Sequence, residues 1–145
     1  MNSYFPDVNA WIALAYRGHQ HHGPAAEWFE ELDAETVYFC RITQLAFLRL
    51  LCHPSVMGDE VKSQREAWGE YHSLLGDGRC AFHAEPEDRV TLETTLRALT
   101  SSRRAAPKQF SDAYLAAFAQ VAGLTLVTFD HALHHTAAGW SVLLG

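Results

Sequence analysis

The chain has 145 residues, 48% of them apolar and 19% charged, with 17 acidic against 11 Lys and Arg side chains and a formal charge of −6. That length predicts one compact α/β domain over 1–145 and excludes two ordinary domains, while the apolar content excludes a disordered chain. The negative balance excludes a protein that grips nucleic acid over its whole surface, because phosphate binding draws on Lys and Arg, but it leaves room for local contact.

Ser3 to Pro6 reads as a first strand, followed by an apolar helical stretch, Val8 to Tyr16, in which Val8, Trp11, Ile12 and Ala15 share one face. That stretch is too short to span a bilayer and has no basic segment before it, so no membrane association and a cytoplasmic location are expected. Pro24 enters the first turn of a second helix running to about Leu32. Thr36 to Cys40 is rich in β-formers and reads as the second strand, and Thr43 is placed to cap a helix through Leu51 that His53-Pro54 stops. Residues 59 to 75 form a polar-faced helix, Cys80 to His83 a short third strand, and Pro86 starts a helix reaching Leu99. The stretch 100–108 is linker-like. Ser111 then opens an Ala-rich helix over Asp112 to Val121, closed by Gly123; Leu124 to Phe129 has the apolar character of a buried strand, and a last strand lies near Trp140 to Leu143. The alternation predicts a three-layer α/β/α sandwich around a mainly parallel, five-stranded sheet. Cys40, Cys52 and Cys80 are odd in number and widely spaced, which fits reduced thiols rather than a disulfide framework or a metal clip.

In an open parallel sheet, ligands bind beyond the C-terminal ends of the strands where strand order reverses. Asp7 and Asp130 stand at such ends, and Asp112 lies in the first turn of the helix that leads into the strand carrying Asp130. Taken singly, each acid is an ordinary turn or helix-start residue. Together they make a candidate cluster, and clustered carboxylates repel one another unless a cation joins them. Oxygen ligands suit Mg²⁺ or Mn²⁺, and such an ion suits phosphodiester hydrolysis without a side-chain nucleophile.

Four segments carry a resemblance: DVNAWIAL at 7–14, RITQLAFLRLLCHP at 41–54, SDAYLAAFA at 111–119 and TLVTFD at 125–130. With HHGPAAEWF at 21–29, they resemble the PIN-domain family, in particular the VapC toxins of toxin–antitoxin pairs. The resemblance implies an α/β/α sandwich, a Mg²⁺- or Mn²⁺-dependent endoribonuclease, an RNA substrate and a cognate antitoxin. It places Asp7, Asp112 and Asp130 in the metal and catalytic positions and Asn9 at a small polar position beside the first acid. Many relatives carry a Glu in the helix after the second strand; this chain has Thr43-Gln44 followed by apolar residues, so Gln44 is the nearest substitute, with one neutral oxygen in place of a charge. A PIN-like binding module, catalytically feeble for want of that Glu, is the competing reading, and DNA in place of RNA is a third.

Arg49 is expected either to reach phosphate from the Gln44 helix or to form a surface ion pair. Arg103, Arg104 and Lys108 form the basic run of the sequence and are the candidate RNA-approach patch, with a solvated loop as the plain alternative. His19, His21 and His22 lack zinc spacing, and His131, His134 and His135 read as loop residues. The density of aromatics, Trp11, Trp28 and Phe29 among them, leads us to expect that part of the first two helices receives an antitoxin segment or a second copy in a homodimer.

Overall fold

A computed structural model describes residues 2–145. The elements in order are β1 (Ser3–Pro6), α1 (Val8–Ala15), α2 (His22–Glu30), β2 (Thr36–Phe39), α3 (Arg41–Leu51), α4 (Pro54–Met57), a 3-10 turn (Gly58–Glu60), α5 (Gln64–Leu75), β3 (Cys80–Phe82), α6 (Arg89–Leu99), α7 (Gln109–Ala122), β4 (Thr125–Thr128), α8 (His131–Thr136) and β5 (Ser141–Leu143). The five strands form one sheet in the order β3-β2-β1-β4-β5, every neighbouring pair parallel.

Side chains alternate across this sheet and bury on both faces. Val37 and Phe39 join Trp11, Phe29, Phe47, Leu51 and Tyr71 in one core, under α1, α2, α3 and α5. Phe5 and Leu126 join Leu92, Leu115, Phe118 and Leu133 in the other, under α6, α7 and α8. The sheet with helices on both faces gives the three layers that the alternation of elements predicts. Among the described residues no helix is long and apolar enough to cross a membrane.

Local chemistry sets several boundaries differently from the sequence reading. The N-cap of α3 is Cys40, and Thr43, at the third helical position, accepts the Cys40 N–H at 2.9 Å and donates to the Cys40 carbonyl at 3.2 Å. Pro54 does more than end α3, because a proline without an N–H is favoured in a helix's first turn, and it starts α4. Ser63 and Glu66 form a reciprocal capping box that starts α5 later than 59. Pro86 lies outside α6, whose N-cap is Asp88. The segment after Asp130, read as a loop, is the helix α8, with Asp130 accepting from the backbone N–H groups of Ala132 and Leu133.

The exposed apolar surface also lies elsewhere than expected. In the first two helices Trp11 and Phe29 are buried, and Trp28 is half-buried with its ring edge-on to Tyr4. Leu45 on α3 and Trp68 on α5 are instead 56% and 41% exposed, and they flank a groove shared with Leu48, Cys52 and Arg49.

Candidate metal centre

The strand order reverses between β1 and β4: chain connections run from β1 outward to β2 and β3 on one side, and from β4 to β5 on the other. A crevice opens at such a point beyond the C-terminal strand ends. Pro6 pairs with Val127, so Asp7 and Thr128 follow side by side. The Asp7 N–H continues the ladder by donating to the Val127 carbonyl at 3.0 Å.

Asp7 is the N-cap of α1, and its Oδ1 accepts the Ala10 N–H at 2.9 Å. Its Oδ2 accepts from the Thr128 hydroxyl at 2.6 Å, and the same hydroxyl oxygen accepts the Asp130 N–H at 2.9 Å. Thr128 is fully buried and ties the first acid to the backbone of the last. Sequence reasoning passed over it, although it stands in the TLVTFD segment two residues before the acid. Once Phe5 and Leu126 are seen to share one core, the two-residue period of the strands puts Asp7 and Thr128 on the same side.

Asp7 is only 5% exposed, and its carboxyl is pushed up from an ordinary 3.8 to about 6. Burial is the main cause; the Thr128 and Ala10 hydrogen bonds oppose it, and the charges of Asp112 and Asp130 add to it. Asp112, in the first turn of α7, is also raised, first by desolvation and then by the charge of Asp130. Asp130 caps α8 and stays exposed. All three acids thus sit at helix N-termini, whose partial positive charge offsets some of their repulsion, and they sense one another across one end of the sheet.

These residues fit a hard divalent cation. A desolvated carboxyl held near neutrality beside two further acids is a donor set short of positive charge. Among the described residues, no three His, Cys, Asp or Glu side chains are grouped tightly enough to hold an ion by themselves.

The remaining candidates fall in different places. Asn9 is exposed in the first turn of α1, beside Asp7. Thr43 is buried and occupied by the α3 cap. Gln44 is buried in the first turn of α3, its Oε1 accepts from Arg41 Nη1, and it lies beside Tyr71. Arg49 is in the last turn of α3, about 12 Å along the axis from Arg41 by helical rise, and lines the groove with Leu45 and Trp68. Arg103, Arg104 and Lys108 are exposed in the α6–α7 connection, which leads directly into the helix carrying Asp112. His21, which the sequence left without a role, stacks on Phe129 with ring centroids 4.5 Å apart.

Comparison with known proteins agrees with this architecture. The family model of the PIN domain matches residues 4–139. Ribonuclease VapC41 of Mycobacterium tuberculosis is 42% identical over 131 residues, covering 87% of this chain and 88% of the relative. Ribonuclease VapC38 of the same organism is 31% identical over 124 residues, covering 86% and 82%. Among solved structures, Mycobacterium tuberculosis VapC20, a Sarcin-Ricin loop cleaving toxin, superposes with a TM-score of 0.66 at 18% identity, covering 98% of this chain and 99% of that one. VapBC2 from Rickettsia felis, bound to a DNA fragment from its promoter, gives a TM-score of 0.69 at 11% identity over 99% of both chains; these two likenesses speak to the fold. With the family model spanning nearly the whole sequence and VapC ribonucleases aligned along most of it, the chain belongs to the PIN-domain family, in its VapC group.

Proposed function

We propose that this chain is the endoribonuclease toxin of a toxin–antitoxin pair, built as a single PIN domain, and that it hydrolyses RNA phosphodiester bonds with Mg²⁺ or Mn²⁺ held by Asp7, Asp112 and Asp130. The observation that carries the site assignment is the Thr128 hydroxyl bridging Asp7 and the Asp130 backbone at the β1/β4 reversal, with Asp112 close enough to raise Asp7. When bound, the ion supplies charge stabilisation at the scissile phosphate and acidifies water. Thr128 and the Ala10 N–H fix the Asp7 carboxylate, Asp130 is fixed by two backbone N–H groups of α8, and Asn9 stands where its amide can orient water or a phosphate oxygen. Gln44, whose Oε1 accepts from Arg41, leaves the acid count at three.

Incubation of the purified protein with structured RNA and Mg²⁺ or Mn²⁺ tests this reading. Cleavage is expected, with loss of at least 100-fold on the order of a missing metal ligand's effect in Asp130→Asn; cleavage unchanged in that variant overturns the assignment. The competing reading, a feeble binding module, predicts instead that Gln44→Glu restores metal affinity and cleavage; the Arg41 and Tyr71 contacts of Gln44 predict no such gain.

The antitoxin and a second copy of the chain are the expected protein partners in the cytoplasm. The α3–α5 groove beside Leu45 and Trp68 is the exposed apolar surface suited to one of them. Arg103, Arg104 and Lys108 give RNA a cationic approach to Asp112.

A further inference from the structure

Residues 94–111 carry four of the chain's 11 Lys and Arg, namely Arg97, Arg103, Arg104 and Lys108, and none of its 17 Asp and Glu. Within a protein of net charge −6, this stretch is a local reversal of sign. None of the four cations forms an ion pair among the described residues.

Three depressions lie along this stretch. A shallow groove of about 570 Å³ is lined by Thr94, Arg97, Thr100, Ser101 and Phe110. A smaller one of about 70 Å³ shares Thr100 and Phe110 with it and adds Ser102, Arg104 and Gln109. A third of about 100 Å³ shares Gln109 with the second and contains Asp112, Leu99 and Leu133. Between them, Gln109 and Phe110 therefore border both the depression that contains Asp112 and those at the C-terminal end of α6, which line up as one track. Phe110, in the first turn of α7, is 55% exposed, and its ring has no aromatic neighbour among the described residues.

We propose that this track holds the single-stranded RNA segment flanking the cut, with phosphates on Arg97 and Arg104 and an unpaired base stacked on the Phe110 ring. The inference rests on the reading of the acids as the cleavage centre, and it adds the direction in which the strand leaves that centre. RNA is favoured over a protein occupant by the charge complementarity, by the Thr and Ser lining, and by continuity with Asp112. A single strand is favoured over a duplex because stacking on an aromatic ring needs a base that is out of its pair.

The test measures fluorescence anisotropy of a short single-stranded RNA of mixed sequence in the Asp130→Asn background with Mg²⁺ present. Adding Phe110→Ala is expected to weaken binding about 10-fold, the loss of one base-stacking contact, while Phe110→Tyr binds as the parent does. Arg97→Gln with Arg104→Gln is expected to reduce the slope of log K against log salt by about 1.4, roughly 0.7 for each phosphate contact on a single strand. In the protein with all three acids, Phe110→Ala is expected to raise KM with little change in kcat. Unchanged affinity and salt slope in these variants overturn the track, as does a change in sedimentation without a change in RNA affinity, which would mark the surface as a protein contact. Shortening of the RNA in the Asp130→Asn background counts against the acid assignment itself, so the two failures are told apart.

Discussion

Asp7 is held in a place that burial makes costly for its charge, and two hydrogen bonds do not fully offset that cost. A carboxyl whose folded pKa, about 6, lies above its ordinary 3.8 keeps its proton longer in the native state than in the unfolded chain. The native state therefore binds more protons between those values, and stability without metal is expected to fall as pH rises from about 4 through about 6, by up to about 3 kcal/mol. Urea unfolding at a series of pH values in chelator checks this, and Asp7→Asn is expected to flatten the profile and to be the more stable protein at pH 8 while losing cleavage. Thr128→Val removes both the donor to Asp7 and the acceptor for the Asp130 N–H. It is expected to cost about 2 kcal/mol and most of the cleavage, with Thr128→Ser restoring both; a fully active Thr128→Val contradicts the bridging role. The three acids were legible in the sequence because each stands at a strand end or helix start next to an apolar run. Thr128 was not, because a buried hydroxyl in a strand looks like any β-branched filler until its partner across the sheet is known.

Each acid depends on the element that follows it, since all three occupy helix N-termini. The α8 helix was missed in the sequence because six residues with three His show no apolar period, although the Asp130 cap with two backbone donors is what starts it. The β1, β2 and β4 strands were legible from short apolar runs bounded by turn residues, and their limits moved by a residue or so. The start of α5 was missed although Ser63 and Glu66 spell a capping box, because the polar turn before it blurs the periodicity. Gly123 closes α7 with φ +71, a conformation in which a Cβ is strained even though nothing lies within 4 Å of where it would stand. Gly123→Ala is expected to lower stability by about 1 kcal/mol and to leave cleavage at temperatures well below unfolding unchanged, as thermal melts and an RNA assay would show. A large loss of activity there would mean that α7 positions Asp112 through its C-terminus, against the local account given above.

The molecule brings Asp7 beside Thr128 and the Asp130 backbone because β1 and β4 are neighbours although far apart in sequence. That adjacency could not be read from local pattern; the alternation of strands and helices gives a layered parallel sheet, but strand order follows from packing both faces at once. The placement of Gln44 shows the same limit, since Arg41 on its own helix and Tyr71 on α5, not its distance from the strand end, decide where it points. On the proposed reading, in which the acids share a cation only in the native fold, a divalent cation should stabilise the whole protein by mass action, by about 2.7 kcal/mol at 100 times its dissociation constant. A rise in melting temperature with Mn²⁺ at pH 8 is expected for the unaltered chain and not for Asp7→Asn. The most direct measurement is titration of Mn²⁺ followed by the electron spin resonance of the free ion, in the unaltered chain and in Asp7→Asn, Asp112→Asn and Asp130→Asn. Saturable binding that each single substitution weakens is the predicted result, whereas binding of equal strength in all four proteins, or none in the unaltered chain, contradicts a shared cation site at the β1/β4 reversal.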